Sequence, residues 1–338
     1  MPHYILLLGA GFSRNWGGWL ADEAFEYLLS CHQVDDYLRG VLWDHKPKEK
    51  GGFEGALGFL QAAHKRGPTA VTDQNLAKLN SALLQMFTHM NSAFAEMGDS
   101  EFVSSEKNSL GGFLATFDAI FTLNQDLLME YQYFNNFARF QHPKWIGWQI
   151  PGVEPIADMG PQSDGIKKWA PMKQRSMFVR EKTRQSYIKL HGASDWIDPI
   201  KGRLVVMGGN KRSAIDESEL LKWNQEQFAA ELSKRDTRLM VIGYSFGDAH
   251  INEAIGAAAK DGGLRVFIID PDGVDVLKRH RALLPRTATL DDKLKDYLIG
   301  ASRRTMLDIF WRNLVEHRRV MRFFGDGDMM GYREIKQP

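Results

Sequence analysis

Five short groups of residues in this chain are of types that carry chemistry. They are Gly9, Ala10, Gly11 and Ser13; Asn124 and Asp126; His191; Gly243 and Ser245; and Asp270. A glycine pair lets the backbone turn tightly with no Cβ in the way. Amides in such a turn, aimed at the start of a helix, form an anion cradle. Ser13 adds a hydroxyl where a phosphate or ribose would lie. His191 is of the type that exchanges protons near neutral pH. Each group also has a plainer reading. Gly9 and Gly11 suit an ordinary strand-to-loop turn, Asn124 and Asp126 suit the cap of a following helix, and a lone histidine is more often structural. The dehydrogenase fingerprint is incomplete, because position 14 is Arg, and Asp35 and Asp36 lie in a polar segment instead of ending a second strand.

Position unites the groups. Residues 4–8 are an apolar run of the kind buried on both faces of a parallel sheet, 117–123, 187–190, 239–242 and 265–269 also read as strands, and each of the five ends at one of the groups. Helical spacing predicts helices over 18–31, from 127 to about 137, over 217–234 and over 249–260. The order strand, glycine turn, helix, strand, acid between residues 239 and 270 reads as one βαβ half. The fold class expected is therefore α/β, a doubly wound parallel (Rossmann-like) sheet with a helical insertion. Ligands bind such sheets in the crevice outside the carboxyl ends of the strands, where all five groups fall.

Residues 1–32 and 116–285 read as the core and 33–115 as the helical insertion, with helices around Phe53–Gln61 and Leu76–Met90 broken at Gly67-Pro68. Glu54 reads as part of a solvated helix face, with a lid residue as the other reading. Residues 138–186 have little periodicity and form a long functional or inserted segment, while 204–207 suit a hairpin edge. Residues 286–338 read as a C-terminal helical extension. The arginines between 303 and 322 suit a solvated face first and a partner interface second. Ser245 in Gly-Tyr-Ser-Phe-Gly also resembles a nucleophile elbow, but Asp270 and His280 stand too close together for the acid and histidine of that layout.

Composition narrows the class. The chain has 338 residues, 43% apolar and 25% charged, with a net charge of +1, as expected of a globular protein with an ample core. So small a charge favours neither an anionic membrane nor sequence-specific nucleic-acid binding. No apolar run has the length of a membrane span and no signal peptide is evident, so a cytoplasmic protein is expected. Cys31 is the single cysteine, which excludes an internal disulfide and a cysteine-built zinc site.

The motifs Gly-Ala-Gly-Phe-Ser (9–13), Thr-Leu-Asn-Gln-Asp (122–126), Lys-Leu-His-Gly (189–192), Gly-Tyr-Ser-Phe-Gly-Asp (243–248) and Ile-Ile-Asp (268–270) together resemble the sirtuin family, most closely the bacterial sirtuin-like NAD hydrolases of antiphage defence. The resemblance implies NAD+ as the substrate. Gly9, Ala10, Gly11 and Ser13 would hold its pyrophosphate and adjoining ribose, and Gly243 and Ser245 its phosphate and ribose path. Asp270, where sirtuin deacylases usually carry Asn, would take the adenosine ribose. Asn124 and Asp126 would sit by the nicotinamide and its ribose, and His191 would act as base. Sirtuin deacylases also carry a four-cysteine zinc module after the His-Gly motif; with one cysteine, no zinc is expected here.

The resemblance therefore implies an NAD+ glycohydrolase that gives nicotinamide and ADP-ribose and acts as a toxic effector in abortive infection. Its activity would be gated by homo-oligomer assembly or by a separately encoded partner such as a HerA-type ATPase. The alternatives are a zinc-free NAD-dependent protein deacylase and a non-catalytic module that senses NAD or ADP-ribose.

Overall fold

The computed structural model describes residues 2–98, 102, 109–139, 144–156, 168–199, 202–209, 211–279 and 290–325. Its central strand is β1 (His3–Leu8). Leu6 and Leu8 enter one apolar layer and Ile5 and Leu7 the opposite one, because successive side chains of a strand point to opposite faces. A strand covered on both faces is apolar at every position, hence the unbroken run.

The strands that follow are β2 (Ala119–Thr122), β3 (Gly147–Gln149), β4 (Val153–Pro155), β5 (Trp169–Pro171), β6 (Arg184–Lys189), β7 (Gly192–Asp198), β8 (Gly202–Val205), β9 (Thr237–Ile242), β10 (Arg265–Ile269) and β11 (Leu298–Ser302). The helices are α1 (Ala10–Ser13), α2 (Ala21–Ser30), α3 (Asp36–His45), α4 (Gly52–Arg66), α5 (Ala70–Glu96), α6 (Leu110–Ala115), α7 (Lys211–Asp216), α8 (Glu219–Leu232), α9 (Ala249–Gly262), α10 (Leu290–Leu294) and α11 (Leu314–Met321).

Seven strands form one sheet in the order β11-β10-β9-β1-β2-β6-β3, and every pairing is parallel. The chain moves outward from β1 through β2 and returns as β9 on the other side of β1. Strand order thus reverses between β1 and β9, the switch point at which doubly wound sheets open a crevice. One face carries Phe25 and Leu28 of α2, Leu57 and Leu60 of α4 and Leu83 and Phe94 of α5. The other carries Phe228 and Leu232 of α8 and Ile251 and Ile255 of α9. This is the doubly wound α/β fold read from the sequence. Among the described residues, no helix is long and apolar enough to cross a membrane.

One local expectation is corrected. Residues 298–302, expected to be helical, form β11 at the sheet edge, paired with β10. Residues 192–198 form β7, which belongs to a second sheet of order β4-β5-β7-β8. The helix expected from 127 to about 137 is present from 128 onward and widens into a π-helix over Glu130–Phe134, in which the Asn135 amide reaches back five residues to the Glu130 carbonyl at 3.1 Å. Such turns recur at functional sites. The helical spacing around 53–61 and 76–90 matches α4 and α5, which end and begin on either side of Gly67-Pro68. His280 and parts of the 138–186 and 286–338 segments lie outside the described residues.

Candidate functional site

The turn after β1 and the turn after β9 interlock backbone to backbone. Gly243 has φ +64°, and a Cβ there would lie 2.3 Å from the Gly11 carbonyl carbon; a Cβ on Gly9 would lie 2.5 Å from the Gly243 oxygen. Only glycine meets both the left-handed backbone and the contact. The Gly11 amide donates to the Gly243 carbonyl at 2.9 Å, the Gly9 amide to Ile242 at 3.0 Å and the Phe12 amide to Gly9 at 2.9 Å. Three amides of the expected cradle are therefore committed to protein carbonyls, and the helix that follows, α1, is a single turn. Ala10 is exposed at the tip and Ser245 is half-buried on the facing turn.

Asn124 ties the next strand end to this turn. Its Nδ2 donates to the Gly9 carbonyl oxygen and to Ser13 Oγ, each at 3.0 Å. A carbonyl only accepts, so the Gly9 contact settles which end of the amide is nitrogen. Both Nδ2 hydrogens are thereby used, and Oδ1 is left as the side chain's acceptor. The segment's capping role falls to Asp126, whose Oδ1 accepts from the Leu128 amide at 3.1 Å. Burial pushes the Asp126 carboxyl above its ordinary range; Lys189, the Leu128 amide and the Ser13 hydroxyl pull against that shift.

His191 lies where β6 passes into β7. Gly192 has φ +73°, and a Cβ there would meet the Leu204 carbonyl oxygen at 2.0 Å, so the change of sheet needs glycine at that step. The His191 ring is 3% exposed, and its Nε2 lies 3.2 Å from Nε2 of His250 in the first turn of α9. Burial lowers the His191 pKa to about 3; Lys211 and His250 push the same way and Asp248 opposes. The ring is therefore neutral at physiological pH, and burial makes it a weaker base than a solvated histidine.

Beside the histidines, Lys211 Nζ bridges Asp248 and Glu54, each at 2.9 Å. Glu54 is thus an ion-pair partner across to α4 rather than a solvated helix residue. On the far side of the switch point, Asp270 Oδ1 accepts from the Asp272 amide at 2.9 Å and from Arg279 at 3.0 Å. The ten predicted site residues all lie on segments following β1, β2, β6, β9 and β10, at the carboxyl ends of these parallel strands.

Sequence reasoning missed Lys189, His250, Lys211 and Asp195. Lys189 sits in the strand adjoining His191 and is fully buried, and Asp195 on β7 is 4% exposed. Burial raises the Asp195 pKa to about 7, with Glu130 adding to the effect. His250 and Asp248 stood within reach in the Gly-Asp-Ala-His run that opens α9; spacing gave no sign that either faces His191. Among the described residues, no group of three or more His, Cys, Asp or Glu is placed to hold a metal ion.

A family model described as a SIR2-like domain matches residues 118–295, just over half of the chain. That span contains Asn124, Asp126, His191, Gly243, Ser245 and Asp270. No curated protein matches the sequence. Parallel sheet, switch-point crevice and family match agree: the chain belongs to the SIR2-like, sirtuin-like family, whose domain fits an NAD-dependent activity.

Proposed function

We propose that the chain is an NAD+ glycohydrolase, which breaks the nicotinamide–ribose bond with water as acceptor and yields nicotinamide and ADP-ribose. The observation that carries this reading is the orientation of Asn124, whose Nδ2 is spent on Gly9 and Ser13 so that Oδ1 remains to align a water or the nicotinamide amide. Cleavage of such a bond passes through an oxocarbenium-like state. The Asp126 carboxyl, in its ionised form, would favour that positive charge electrostatically. His191, which burial makes a weak base, would take the proton from the attacking water or from a ribose hydroxyl only as positive charge develops on the ribose in the transition state. Gly9, Ala10, Gly11 and Ser13 with Gly243 and Ser245 would line the pyrophosphate and ribose path, and Asp270 would hold the adenosine ribose.

One cysteine cannot build the four-cysteine zinc module of sirtuin deacylases, which favours water over an acyl-lysine peptide as acceptor. In this reading residues 33–115 are a helical insertion on the core and 286–338 an extension of it. Unchecked NAD+ cleavage would kill the host cell, so the enzyme is a toxic effector of antiphage defence, gated by homo-oligomer assembly or by a HerA-type ATPase partner. The experiment is to incubate the purified chain with NAD+, alone and with that partner, and to measure nicotinamide. Release that disappears in Asn124→Ala and His191→Ala supports the reading. Binding of NAD+ without release under any condition would instead make the chain a sensing module.

A further inference from the structure

The segment from Asn124 to Leu127 has no regular structure, yet it must hold Asn124 and Asp126 still. Neutral partners fix part of it. Gln125 donates to the Val206 carbonyl at 2.7 Å, its own carbonyl accepts from the Ser194 amide at 2.9 Å, and the Leu127 amide donates to Asn91 Oδ1 at 2.9 Å. A further contact is charged. Lys189, 0% exposed at the end of β6, donates from Nζ to the Asp126 carbonyl at 2.7 Å, to Glu130 Oε1 at 2.7 Å and to Tyr187 Oη at 3.4 Å. Taking an ammonium out of water is costly, and an apolar side chain of similar volume avoids that cost. What the apolar side chain cannot do is bind the Asp126 carbonyl.

We propose that Lys189 is a positioning residue, which acts through the Asp126 carbonyl to hold the 124–127 segment so that Asn124 Oδ1 and the Asp126 carboxylate face the reacting bond. The proposal rests on the NAD+-cleavage reading for its effect on rate, and on geometry alone for its effect on the segment. Lys189 does not touch substrate; its contribution is to placement, where a displacement of about 1 Å costs roughly 10²-fold in rate.

Lys189→Met alone leaves Glu130 buried without its cation and lowers stability. The deciding protein is therefore Lys189→Met/Glu130→Gln, with Glu130→Gln, which keeps the ammonium, as its control. The double variant is expected to melt cooperatively. Its amides at 125–128 should exchange hydrogen about tenfold faster or more than in the control, while those of β1 and β9 do not change. Its kcat for nicotinamide release should fall about 10²-fold with the NAD+ Kd within about threefold. Unchanged exchange at 125–128 overturns the proposal, whatever happens to kcat, and so does faster exchange with kcat intact. If the wild-type chain binds NAD+ but releases no nicotinamide, the cleavage reading fails, and the exchange rates still decide whether Lys189 fixes the segment.

Discussion

The Nε2 atoms of His191 and His250 lie 3.2 Å apart, so one ring donates the hydrogen that the other accepts and a proton added to either must be forced into the pair. Lys211, Arg212, Asp248 and Glu253 supply the charges around them, and burial is the largest influence on both rings, lowering each pKa, that of His191 to about 3. The unfolded chain then takes up a proton near pH 6.5 that the native chain refuses. Stability is full above about pH 6.5 and falls as pH drops toward 3, by at most about 1.4 kcal/mol per pH unit from His191. Thermal melts between pH 7 and 4 should show His191→Gln with a flatter profile than wild type. Parallel profiles would mean that His191 is solvated and ionises freely.

Asn124 and Asp270 should separate chemistry from binding. Asn124→Ala removes the Oδ1 acceptor and is expected to lower kcat per folded molecule by about 10²–10³, or about 2.7–4 kcal/mol, with a small change in NAD+ affinity. Asp270→Ala is expected to weaken NAD+ binding and leave kcat at saturation near wild type, because ribose contacts are alike in ground and transition states. Calorimetry and steady-state kinetics read the two effects. The reverse pattern would place the nicotinamide end of the substrate at Asp270.

Gly243→Ala should damage fold and site together. The new Cβ meets Gly11 and Phe12 backbone at 2.3 Å, on a residue with φ +64°, so the β1 and β9 turns must part. A loss of about 2–4 kcal/mol is expected in urea unfolding, together with loss of NAD+ binding in the folded fraction. A variant as stable as wild type would show that the two turns do not interlock.

The Lys211 bridge couples α4 to the loop that leads into α9. Lys211→Met is expected to cost about 1–3 kcal/mol, since it leaves Asp248, 14% exposed in its side chain, without its cation. Glu54→Gln should cost less, and the double variant less than the sum of the two. Additive effects in the cycle would mean that Glu54 and Lys211 do not interact.

Much of this fold was legible because β1, β2, β9 and β10 are buried on both faces and read as mainly apolar runs, while β6 showed only Tyr187 and Ile188 beside polar residues that the fold buries. β11 was not, because Leu298-Ile299-Gly300-Ala301-Ser302 is short, half-exposed and set among arginines. Its glycine lets the strand lie against the Phe267 ring, where a Cβ would come within 2.6 Å. β7 was hidden by Ser194 and Asp195, polar residues that the fold buries. The site residues were legible as types that follow strands. Their partners were not: that Lys189 turns inward to the Asp126 carbonyl, or that His250 meets His191, depends on contacts between positions about 60 residues apart.

The most direct test of the central claim follows nicotinamide and ADP-ribose when the purified chain is mixed with NAD+, across a range of protein concentrations and with and without the proposed HerA-type ATPase. The account predicts equal amounts of both products from the wild-type chain and none from His191→Ala or Asn124→Ala proteins that melt cooperatively. Wild-type protein that binds NAD+ and leaves it intact under every condition, or a His191→Ala protein that turns over at the wild-type rate, would contradict it.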